Sequence, residues 1–530
     1  KSMKANSGTK IKQILGELPY APELYWMLRQ RGKPIRTRFS LSNLEERIPA
    51  LIEEVGKHAE SAATGKRVLL FATLHYWIEQ AALLGLTLAG LGHDCHLAYL
   101  PYADWQKPIS RFDLRRQNIY SRWVLEKCLP YLNTHSLLDY PGERSLPGSL
   151  LSDVELVSYY DAQYTLQVET VDEQSDIYKL RMDRNRFAAE KLLALCAELE
   201  PDVIVVPNGT IQELGVAYRV AKHLGIPVST YEFSDQKDRI WLAQDSEIMR
   251  QDTSSIWDAR KDEPFTDEQR EKVEELYQAK VQGNTWKNFV RKWQSTPREG
   301  GSDVAVRLGL DDRPVVLLAT NVLGDSLTLG RQVFSETMAE WIEKTVQFFA
   351  QRNDAQLVIR VHPGEVLTHG PSMVDVVQNA VANLPENIHL VGPRDAINTY
   401  DLIEMTDIGL VYTTTTGLEM AMSGIPVVVA GITHYKGNGF THDPQSYDEY
   451  YKMLNRLLDS PKNQRLNKRQ VDQAWHYAYI FFFEYALPFP WRVVQMWDDL
   501  KERPISYVFG EGMGQYSNTF KYITGTPIEW

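Results

Sequence analysis

Short apolar runs alternate with amphipathic helical segments along most of the chain. In the first half, strand patterns occur at residues 67–72, 94–100, 202–206 and 226–231, and helical patterns at residues 41–58, 76–91 and 211–224. Strands separated by helices of this length are typical of βαβ units, which build parallel sheets. The first half therefore predicts one Rossmann-like domain, interrupted by an irregular insertion at about residues 101–172.

The same alternation returns after a charged helical segment (residues 262–293) and a breaker-rich stretch (residues 295–302). Strand patterns follow at residues 314–320, 356–361, 388–391, 408–412 and 426–430, and helical patterns at residues 335–352, 374–382, 401–405, 417–422 and 446–458. The chain as a whole therefore predicts an α/β fold with two Rossmann-like domains. We expect the two domains to face a cleft, with a C-terminal helix that crosses back to the first domain.

These patterns divide the chain into five segments. They are an N-terminal helical segment (1–65), a first Rossmann-like domain (66–260), a helical connector (261–302), a second Rossmann-like domain (303–475) and a C-terminal crossing helix with its tail (476–530). Ligands of open parallel sheets bind at the carboxyl ends of the strands. The residues that directly follow each strand are therefore the candidates for function.

Composition narrows the class of protein. A formal net charge of −12, without a basic run, argues against nucleic acid as a partner. Three scattered cysteines fit a reducing compartment better than a disulfide framework. No apolar run reaches the roughly 20 residues that span a bilayer. We expect a cytoplasmic enzyme. The aromatic tail at residues 477–489 is explained equally well by peripheral contact with the inner face of a membrane and by a domain-bridging helix.

The run at residues 411–431, VYTTTTGLEMAMSGIPVVVAG, carries the strongest chemical signal. Four hydroxyl residues and a glycine lie between a strand and a helix, namely Thr413, Thr414, Thr415, Thr416 and Gly417. Hydroxyls and unbonded N–H groups at a helix start can bind phosphate. One threonine alone would suffice to cap the helix. Four successive threonines therefore favour a ligand.

Two neighbouring features fit a nucleotide. Glu419 lies in the first turn of the helix, where its carboxylate can accept hydrogen bonds from both ribose hydroxyls, although a first-turn glutamate also suits the helix dipole. His362 and Pro363 follow the strand at residues 356–361, where the histidine can donate to a phosphate oxygen or cap a neighbouring carbonyl. Arg360, on the same strand face, can add a charge-assisted contact. We therefore predict a nucleotide-sugar site in the second domain.

The C-terminal half resembles bacterial capsule-polysaccharide biosynthesis transferases, including the CMP-Kdo-using enzymes. The residues that carry the resemblance are His362-Pro363, residues 414–419, Gly424-Ile425-Pro426, His434-Tyr435, Gly439-Phe440-Thr441 and Asp443-Pro444. The His-Pro pair and the hydroxyl run are also similar to motifs of bacterial sialyltransferases. The resemblance implies a GT-B glycosyltransferase in which His362 and the threonines contact the nucleotide phosphate and Glu419 contacts the ribose. It favours a CMP-sugar donor over a UDP- or GDP-sugar.

Further candidates follow two other strands of the second domain. The loop at residues 320–326 approaches the donor in GT-B enzymes, although a plain polar loop has the same appearance; its candidates are Asn321, Gly324, Asp325 and Ser326. His434 and Tyr435 follow the strand at residues 426–430 and are expected beside the threonines. We predict that these six residues contact the donor sugar or the leaving phosphate.

An inverting transfer to a hydroxyl needs a general base beside the acceptor oxygen. The candidates at strand ends of the first domain are His75, Glu232 and Asp104. Each has a structural alternative, which is helix capping or packing for His75, a local turn for Asp104 and an ion pair for Glu232. Asn208-Gly209 and Glu232 are similar to the first domain of the same family, although Phe233-Ser234 stands where that family has a nearby glycine.

The predicted function is transfer of a sugar from a nucleotide-sugar donor to a hydroxyl of a glycan or lipid-linked acceptor in surface polysaccharide synthesis. No metal or other cofactor is expected, because the sequence has neither zinc-ligand spacing nor an Asp-x-Asp pair. The alternatives are a GT-B-like sugar-nucleotide epimerase, a glycerophosphate-type polymer transferase and a non-catalytic nucleotide-binding scaffold. The sequence leaves open the donor sugar, the acceptor, the stereochemistry and the oligomeric state.

Overall fold

The computed structural model describes residues 7–30, 39–285, 287, 289, 296–492 and 494–530. Parts of three predicted segments lie outside these residues. They are residues 1–6 and 31–38 of the N-terminal helical segment, residues 286, 288 and 290–295 of the predicted connector, and residue 493 of the C-terminal segment.

The strands of the described part fall into two sheets. They are β1 (Arg67–Thr73), β2 (Asp94–Leu100), β3 (Leu132–Ser136), β4 (Val203–Pro207), β5 (Val228–Phe233), β6 (Arg239–Gln244), β7 (Val315–Ala319), β8 (Gln356–Arg360), β9 (Ile388–Val391), β10 (Ile408–Val411), β11 (Val427–Val429) and β12 (Leu487–Pro488). The first sheet has the order β12-β6-β5-β4-β1-β2-β3, and the second has the order β11-β10-β7-β8-β9.

The helices before the second sheet are α1 (Ser7–Glu17), α2 (Ala21–Tyr25), α3 (Ser42–Ala59), α4 (His75–Gly90), α5 (Arg111–Leu125), α6 (Gly148–Leu166), α7 (Asp176–Leu199), α8 (Gln212–Leu224), α9 (Ser254–Arg260), α10 (Asp267–Val281) and α11 (Gly301–Leu308). Those that follow its first strand are α12 (Met338–Ala350), α13 (Met373–Asn379), α14 (Thr399–Glu404), α15 (Thr416–Met422), α16 (Tyr447–Asp459), α17 (Lys468–Tyr479), α18 (Met496–Glu502), α19 (Ile505–Phe509) and α20 (Met513–Ile523).

The chain forms two compact units. The first contains residues 1–162, 172–250 and 487–529, and the second contains residues 163–171, 251–486 and 530. In the first unit, β3, β2, β1, β4 and β5 pair in parallel, and β6 and β12 add an antiparallel edge. The second unit contains the five-stranded sheet, which is parallel throughout.

Both sheets contain parallel strands that are buried on both faces. β4, β7 and β8 are buried over their full lengths, as expected when helices cover both sides of a parallel sheet. In the second unit, β7, β8 and β10 pack on α12 and α16 around Trp341, Phe349 and Tyr450. The core therefore holds the carboxyl ends of neighbouring strands side by side at one edge of each sheet.

The predicted α/β class with two Rossmann-like domains is confirmed. The predicted strands at residues 94–100 and 388–391 match β2 and β9. The chain after Ala486 returns to the first unit, where β12 pairs with β6. The insertion at residues 101–172, which carried no assignment, forms α5, β3 and α6, and its last residues lie in the second unit. The predicted domain boundaries remain predictions.

Candidate functional site

The connection from β10 to α15, which we call the threonine loop (residues 412–416), is held from two sides in the second unit. The Asn321 side-chain oxygen accepts a hydrogen bond from the Thr413 N–H at 3.0 Å. The Tyr435 hydroxyl donates to the Thr414 carbonyl oxygen at 2.6 Å. The Thr414 and Thr416 hydroxyls lie 3.1 Å apart. The loop is therefore fixed by side chains that follow β7 and β11, the strands on either side of β10.

This arrangement leaves polar groups of the loop available to a ligand. The Thr413 hydroxyl is buried and makes no hydrogen bond within the described part of the chain. A buried polar group without a partner costs stability, so its retention is typical of a functional site. The first N–H groups of α15 are already bonded within the loop, because Thr416 donates to the Thr414 hydroxyl at 3.3 Å and Gly417 to the Thr414 carbonyl at 3.3 Å. The hydrogen-bonding capacity left in the loop is therefore that of its hydroxyls rather than that of the helix start.

Gly417 permits the Tyr435 contact. A methyl group at this position would lie 2.2 Å from the Tyr435 hydroxyl oxygen and 2.9 Å from a Val411 methyl. Tyr435 itself is fully buried, and burial raises its pKa. The Tyr435 hydroxyl is used to hold Thr414. We therefore expect Tyr435 to act on the donor through the threonine loop and not by direct contact.

Glu419 lies in the first turn of α15 and is 6% exposed. Its Oε1 accepts a hydrogen bond from the Tyr400 hydroxyl at 3.1 Å and forms an ion pair with Lys280. Both partners come from helices distant in sequence, α14 and α10. The carboxylate is therefore a fixed negative charge with one oxygen already engaged, and the proposed ribose hydrogen bonds fall on Oε2.

The turn after α15 has the geometry of a Schellman motif. The Gly424 N–H donates to the Ala421 carbonyl at 2.9 Å and the Ile425 N–H donates to the Met420 carbonyl at 3.0 Å. Gly424 has a φ of 78°, which explains the glycine at this position. The predicted Gly-x-Pro turn thus ends α15 and directs the chain into β11.

His362 and Pro363 lie directly after β8. The His362 Nδ1 accepts the Gly364 N–H at 2.9 Å, which in a neutral ring puts the proton on Nε2. The His362 N–H donates to the Thr320 hydroxyl at 3.1 Å. This histidine therefore caps its own turn by accepting a backbone N–H, rather than by donating to a neighbouring carbonyl as the structural alternative predicted.

Arg360 is placed differently from the prediction. It is 3% exposed, and its guanidinium donates to the backbone carbonyls of Gly392 at 2.7 Å and Ile397 at 3.1 Å. Burial lowers its pKa to about 10. These bonds hold the loop after β9, so we leave Arg360 out of the proposed phosphate site.

The loop after β7 lies against residues 163–171. A methyl group on Gly324, whose φ is 75°, would lie 2.8 Å from the Gln167 side chain. Through Asn321 and Gly324, this loop lines a small recess together with Gln163 and Glu169. Asp325 instead caps a turn by accepting the Leu327 N–H at 3.0 Å, and Ser326 is half-buried. The predicted donor residues therefore divide into recess-lining and turn-forming groups.

His434 follows β11 and is stacked on Phe481, with ring centroids 3.7 Å apart. Its Nδ1 lies 2.9 Å from the Tyr477 hydroxyl, while Nε2 is buried without a hydrogen bond in the described part of the chain. Burial, reinforced by the positive charges of Arg331 and Lys280, lowers its pKa to about 3. His434 is therefore a neutral ring with one unsatisfied nitrogen.

Sequence reasoning missed two buried cations of this site. Lys280 is 3% exposed and Arg331 is 4% exposed, and both act electrostatically on His434. The Arg331 carbonyl accepts the Ile432 N–H at 2.9 Å, which ties its loop to the end of β11. Lys280 lay in a charged helical stretch that looked like solvated connector, so its burial had no sequence signal.

In the first unit, Glu232 lies at the end of β5 and is 7% exposed. Its Oε2 accepts a hydrogen bond from the Asn208 side-chain amide at 3.1 Å, and its Oε1 accepts its neighbour's N–H, that of Phe233, at 3.1 Å. Burial raises its pKa to about 7, although both hydrogen bonds act in the opposite direction. The ion pair weighed for Glu232 is replaced by this amide contact.

Hydrogen bonds orient the Asn208 side chain so that its amide can donate to Glu232. It follows β4 with a φ of 59°, and its side-chain oxygen accepts the N–H groups of Thr210 at 3.1 Å and Ile211 at 3.3 Å. Its amide nitrogen is thereby directed at Glu232. β4 and β5 pair in parallel, so the two residues meet at the same edge of the sheet.

The other two candidates of the first unit differ in surroundings. His75 begins α4, is half-buried with a pKa lowered by burial, and packs edge-on against Phe39 and Tyr76. The residue before it, Leu74, has a φ of 65°, a strained conformation for leucine that is typical of functional sites. The Asp104 carboxylate accepts the Gln106 N–H at 2.7 Å and so forms the local turn weighed for it.

No group of three or more His, Cys, Asp or Glu side chains in the described ranges is placed to hold a metal ion. None of the helices found among those residues is both long and apolar enough to cross a bilayer.

Solved structures with similarity to the chain include enzymes that act on sugar nucleotides. The β-Kdo 2,7-transferase of Thermosulfurimonas dismutans KpsC is 16% identical over 57% of this chain and 88% of its own, with a TM-score of 0.31. The β-Kdo 2,4-transferase of the same protein is 14% identical over 52% and 79%, with a TM-score of 0.29. UDP-GlcNAc 2-epimerase from Neisseria meningitidis is 12% identical over 77% and 94%, with a TM-score of 0.26. TM-scores of this size carry no argument about function.

No curated protein matches the chain. The family model of capsule polysaccharide biosynthesis proteins matches residues 265–481. That range contains the threonine loop, Glu419, His362 and His434, the residues on which the resemblance was first stated. The resemblance predicted from these residues is thereby confirmed.

Proposed function

We propose that this chain is a glycosyltransferase of surface polysaccharide synthesis that takes a sugar from a nucleotide-sugar donor and transfers it to a hydroxyl of a glycan or lipid-linked acceptor. The observation that carries the proposal is the environment of Glu419. A buried carboxylate, held by Lys280 and Tyr400, adjoins a loop of four threonines at the carboxyl end of a parallel sheet. This is where such sheets bind their ligands.

In the proposed nucleotide site, each group has a separate role. Glu419 accepts hydrogen bonds from the ribose hydroxyls, and the threonine hydroxyls and the His362 imidazole contact the phosphate. Arg331 and Lys280 supply positive charge that offsets the charge developing on the departing phosphate. Gly424 to Pro426 and Tyr435 hold the loop in shape, because they make its turn and its carbonyl contact. We favour a CMP-sugar on the sequence resemblance alone, with UDP- and GDP-sugars as alternatives.

The first unit supplies the proposed general base, for which we favour Glu232 over His75. A base must be ionised near neutral pH yet basic enough to take a proton, and a carboxyl group with a pKa of about 7 meets both needs. In the inverting reaction, the acceptor oxygen bonds to the anomeric carbon as the bond from that carbon to the phosphate oxygen breaks. Glu232 takes the acceptor proton, and the nucleotide leaves with the bonding electron pair.

A nucleotide panel tests the proposal. Thermal unfolding is followed with CMP, CDP, UDP and GDP, and donor turnover is then assayed with sugar nucleotides of whichever base stabilises the chain. A ligand present at 100 times its Kd should raise stability by about 2.7 kcal/mol. If no nucleotide raises the Tm, the proposal fails.

The same assay separates the alternatives. An epimerase converts the sugar nucleotide without an acceptor, and a glycerophosphate-type polymer transferase releases the nucleotide only from an alditol-phosphate donor. A scaffold binds the nucleotide without turnover. We propose a cytoplasmic location for the enzyme, with access to the inner face of the membrane.

A further inference from the structure

The start of the aromatic tail (residues 477–489) packs on His434 within the second unit. α17 ends at Tyr479 and continues directly into a π-helical turn, Ile480–Glu484. The Phe481 ring of that turn stacks on the His434 ring, with centroids 3.7 Å apart and an angle of 9° between the planes. π-Helical turns are rare and occur frequently at functional sites. The first residues of the tail therefore support this histidine.

Hydrogen bonds at the Tyr477 hydroxyl determine which nitrogen of His434 carries the proton. The Tyr477 oxygen lies 2.6 Å from the His434 carbonyl oxygen and 2.9 Å from Nδ1 of the same residue. A hydroxyl has one proton to donate. If Tyr477 donated it to Nδ1, lone pairs of two oxygens would face each other at 2.6 Å, so the proton lies between Tyr477 and the carbonyl. Nδ1 therefore carries the ring proton and donates it to the Tyr477 oxygen.

One polar atom of the His434 side chain, Nε2, remains without a hydrogen bond. The Thr253 hydroxyl lies 2.7 Å from the Tyr477 oxygen and can donate to its remaining lone pair. Burial and the positive charges of Arg331 and Lys280 lower the pKa of His434 to about 3, so the ring is neutral. Nε2 then carries a lone pair and no proton. It is buried and accepts no hydrogen bond from the described residues.

An acceptor in this state indicates a ligand group that donates. A buried acceptor without a donor destabilises the fold, so its retention is typical of a functional site. Phosphate oxygens are themselves acceptors, and Nε2 without a proton cannot donate to them. The ribose hydroxyls are already assigned to Glu419. The donor groups that remain in a sugar nucleotide belong to the transferred sugar and to the base.

The place of His434 in the fold favours the transferred sugar. The next residue, Tyr435, donates to the Thr414 carbonyl at 2.6 Å, so His434 adjoins the loop that is proposed to hold the phosphate. The transferred sugar of a sugar nucleotide is bonded directly to a phosphate, whereas the ribose separates the base from it. Groups of the transferred sugar are therefore the nearest hydrogen-bond donors to this end of the site.

We propose that His434 Nε2 accepts a hydrogen bond from a hydroxyl or amide N–H of the transferred sugar, and that His434 thereby selects donors that carry such a group. The proposal rests on the proposed function and deepens it. The sequence left two contacts open for His434, and this tautomer fits the donor sugar and not the leaving phosphate. Tyr477 and Phe481 are positioning residues, because they act through the His434 ring.

Calorimetric titration that compares a nucleotide with its sugar nucleotide tests the contact. The pairs are CMP with CMP-N-acetylneuraminate, UDP with UDP-glucose or UDP-N-acetylglucosamine, and GDP with GDP-mannose, and the pair that binds the wild type most tightly is used. His434→Phe keeps a ring on Phe481 but removes the acceptor. The Kd of the nucleotide should stay within about twofold, whereas that of the sugar nucleotide should rise about 10- to 100-fold. His434→Gln, whose amide oxygen can accept, should recover part of the loss.

Tyr477→Phe tests the tautomer itself. Without the hydroxyl, the ring proton is free to move to Nε2, so the Kd of the sugar nucleotide should rise while that of the nucleotide stays the same. Nitrogen-15 NMR of histidine-labelled protein should show His434 as the Nδ1–H tautomer in the wild type and a shift toward Nε2–H in Tyr477→Phe. The matched control is Tyr479→Phe in the same helix, which should change neither the affinities nor the tautomer.

The outcomes distinguish failure of the sugar contact from failure of the proposed function. If no nucleotide binds the wild type, both fail. If nucleotides bind but His434→Phe leaves the sugar-nucleotide Kd unchanged, or weakens nucleotide and sugar nucleotide equally, only the sugar contact is overturned. An Nε2–H tautomer in the wild type would overturn it as well, and that measurement does not depend on the folding of any variant.

Discussion

Two buried glutamates, Glu232 at the end of β5 and Glu419 in the first turn of the helix after β10, have opposite surroundings. Glu419 and Glu232 are 6% and 7% exposed. Glu419 has a lysine ammonium and a tyrosine hydroxyl on one carboxylate oxygen. Among the described residues, Glu232 has a neutral amide and a backbone N–H as its hydrogen-bond donors. Equal burial is therefore combined with a cationic partner in one unit and with neutral donors in the other.

The difference shows how one residue type can serve two steps of one reaction. A carboxylate that is held by a lysine and a tyrosine is suited to accept hydrogen bonds from a bound ribose. A carboxyl group that is buried without a cation loses its proton only near neutral pH, which suits proton transfer. The burial of a carboxyl group and the charge of its hydrogen-bond partner, rather than the residue type, decide its role.

Removal of the proposed general base should have the largest effect, which is on kcat. Glu232→Gln keeps the size and the amide contact but cannot take a proton, so kcat should fall about 100- to 10,000-fold. Asp104→Asn, at a carboxylate that forms only a local turn, should change kcat less than about threefold. Initial rates with the donor selected by the nucleotide panel measure both. A full loss in Asp104→Asn with normal Glu232→Gln would reverse the assignment.

Breaking the Glu419 pair should come next in size. Lys280→Met leaves a buried carboxylate without its cation and should lower the free energy of unfolding by about 3–5 kcal/mol. Adding Glu419→Gln to that variant should recover part of the loss, because the uncompensated charge is removed. The control is Lys272→Met on the same helix, whose solvent-exposed pair with Glu268 should change the free energy of unfolding far less. Denaturant titration gives all four values.

The pH dependence of kcat/KM further tests the difference between Glu232 and Glu419. Activity that needs ionised Glu232 should fall below an apparent pKa of about 7 in kcat/KM. Asn208→Gly keeps the left-handed backbone but removes the amide donor that stabilises the carboxylate, so that apparent pKa should move upward, by about one unit or less. A profile that does not move in Asn208→Gly would contradict the positioning role of this amide.

The free energy of unfolding depends on pH in the opposite direction to the activity, because ionisation of Glu232 supports the reaction but destabilises the fold. Because the folded-state pKa of Glu232 is raised from 4.5 to about 7, its contribution is full below about pH 4.5 and is lost as pH rises through about 7. Glu79, whose pKa burial also raises to about 7, acts in the same direction. Each Glu→Gln change should therefore flatten the fall in unfolding free energy between pH 5 and pH 7.

The smallest effect concerns the turn behind Glu419. Gly424→Ala places a side chain at a φ of 78° and should cost about 1–2 kcal/mol in the free energy of unfolding. Gly514→Ala, in α20 with open space around it, should be neutral or slightly stabilising. Thermal unfolding of the two variants makes the comparison. Similar losses in both would show that backbone conformation at Gly424 is not the cause.

Much of the fold followed from hydrophobic periodicity, and its failures have physical causes. β2 and β9 are framed by clear turns, so their limits agree with the prediction. β3 has the sequence LNTHS, whose polar residues conceal a strand paired with β2. β12 contains only two residues and exists because β6 offers an edge far away in sequence. Local pattern cannot reveal a strand whose stability is entirely tertiary.

The residues of the candidate site likewise divide into those that the sequence predicted and those that it did not. The threonine loop, Glu419 and Glu232 were found because strand ends can be located from the sequence. Lys280 was missed, since a lysine in a charged helix looks solvated until the helix is packed. Arg360 was assigned to phosphate because its strand face was right, but its guanidinium is used by backbone carbonyls of the next loop.

Calorimetric titration of nucleotide into the wild type, Glu419→Gln and Glu232→Gln tests the central claim most directly. CMP, or whichever nucleotide raises the Tm most, should bind the wild type and Glu232→Gln with the same Kd. Its affinity for Glu419→Gln should fall about 10- to 150-fold, because hydrogen bonds to a charged carboxylate are lost. Unchanged affinity in Glu419→Gln, or a loss confined to Glu232→Gln, would contradict the placement of the nucleotide in the second unit.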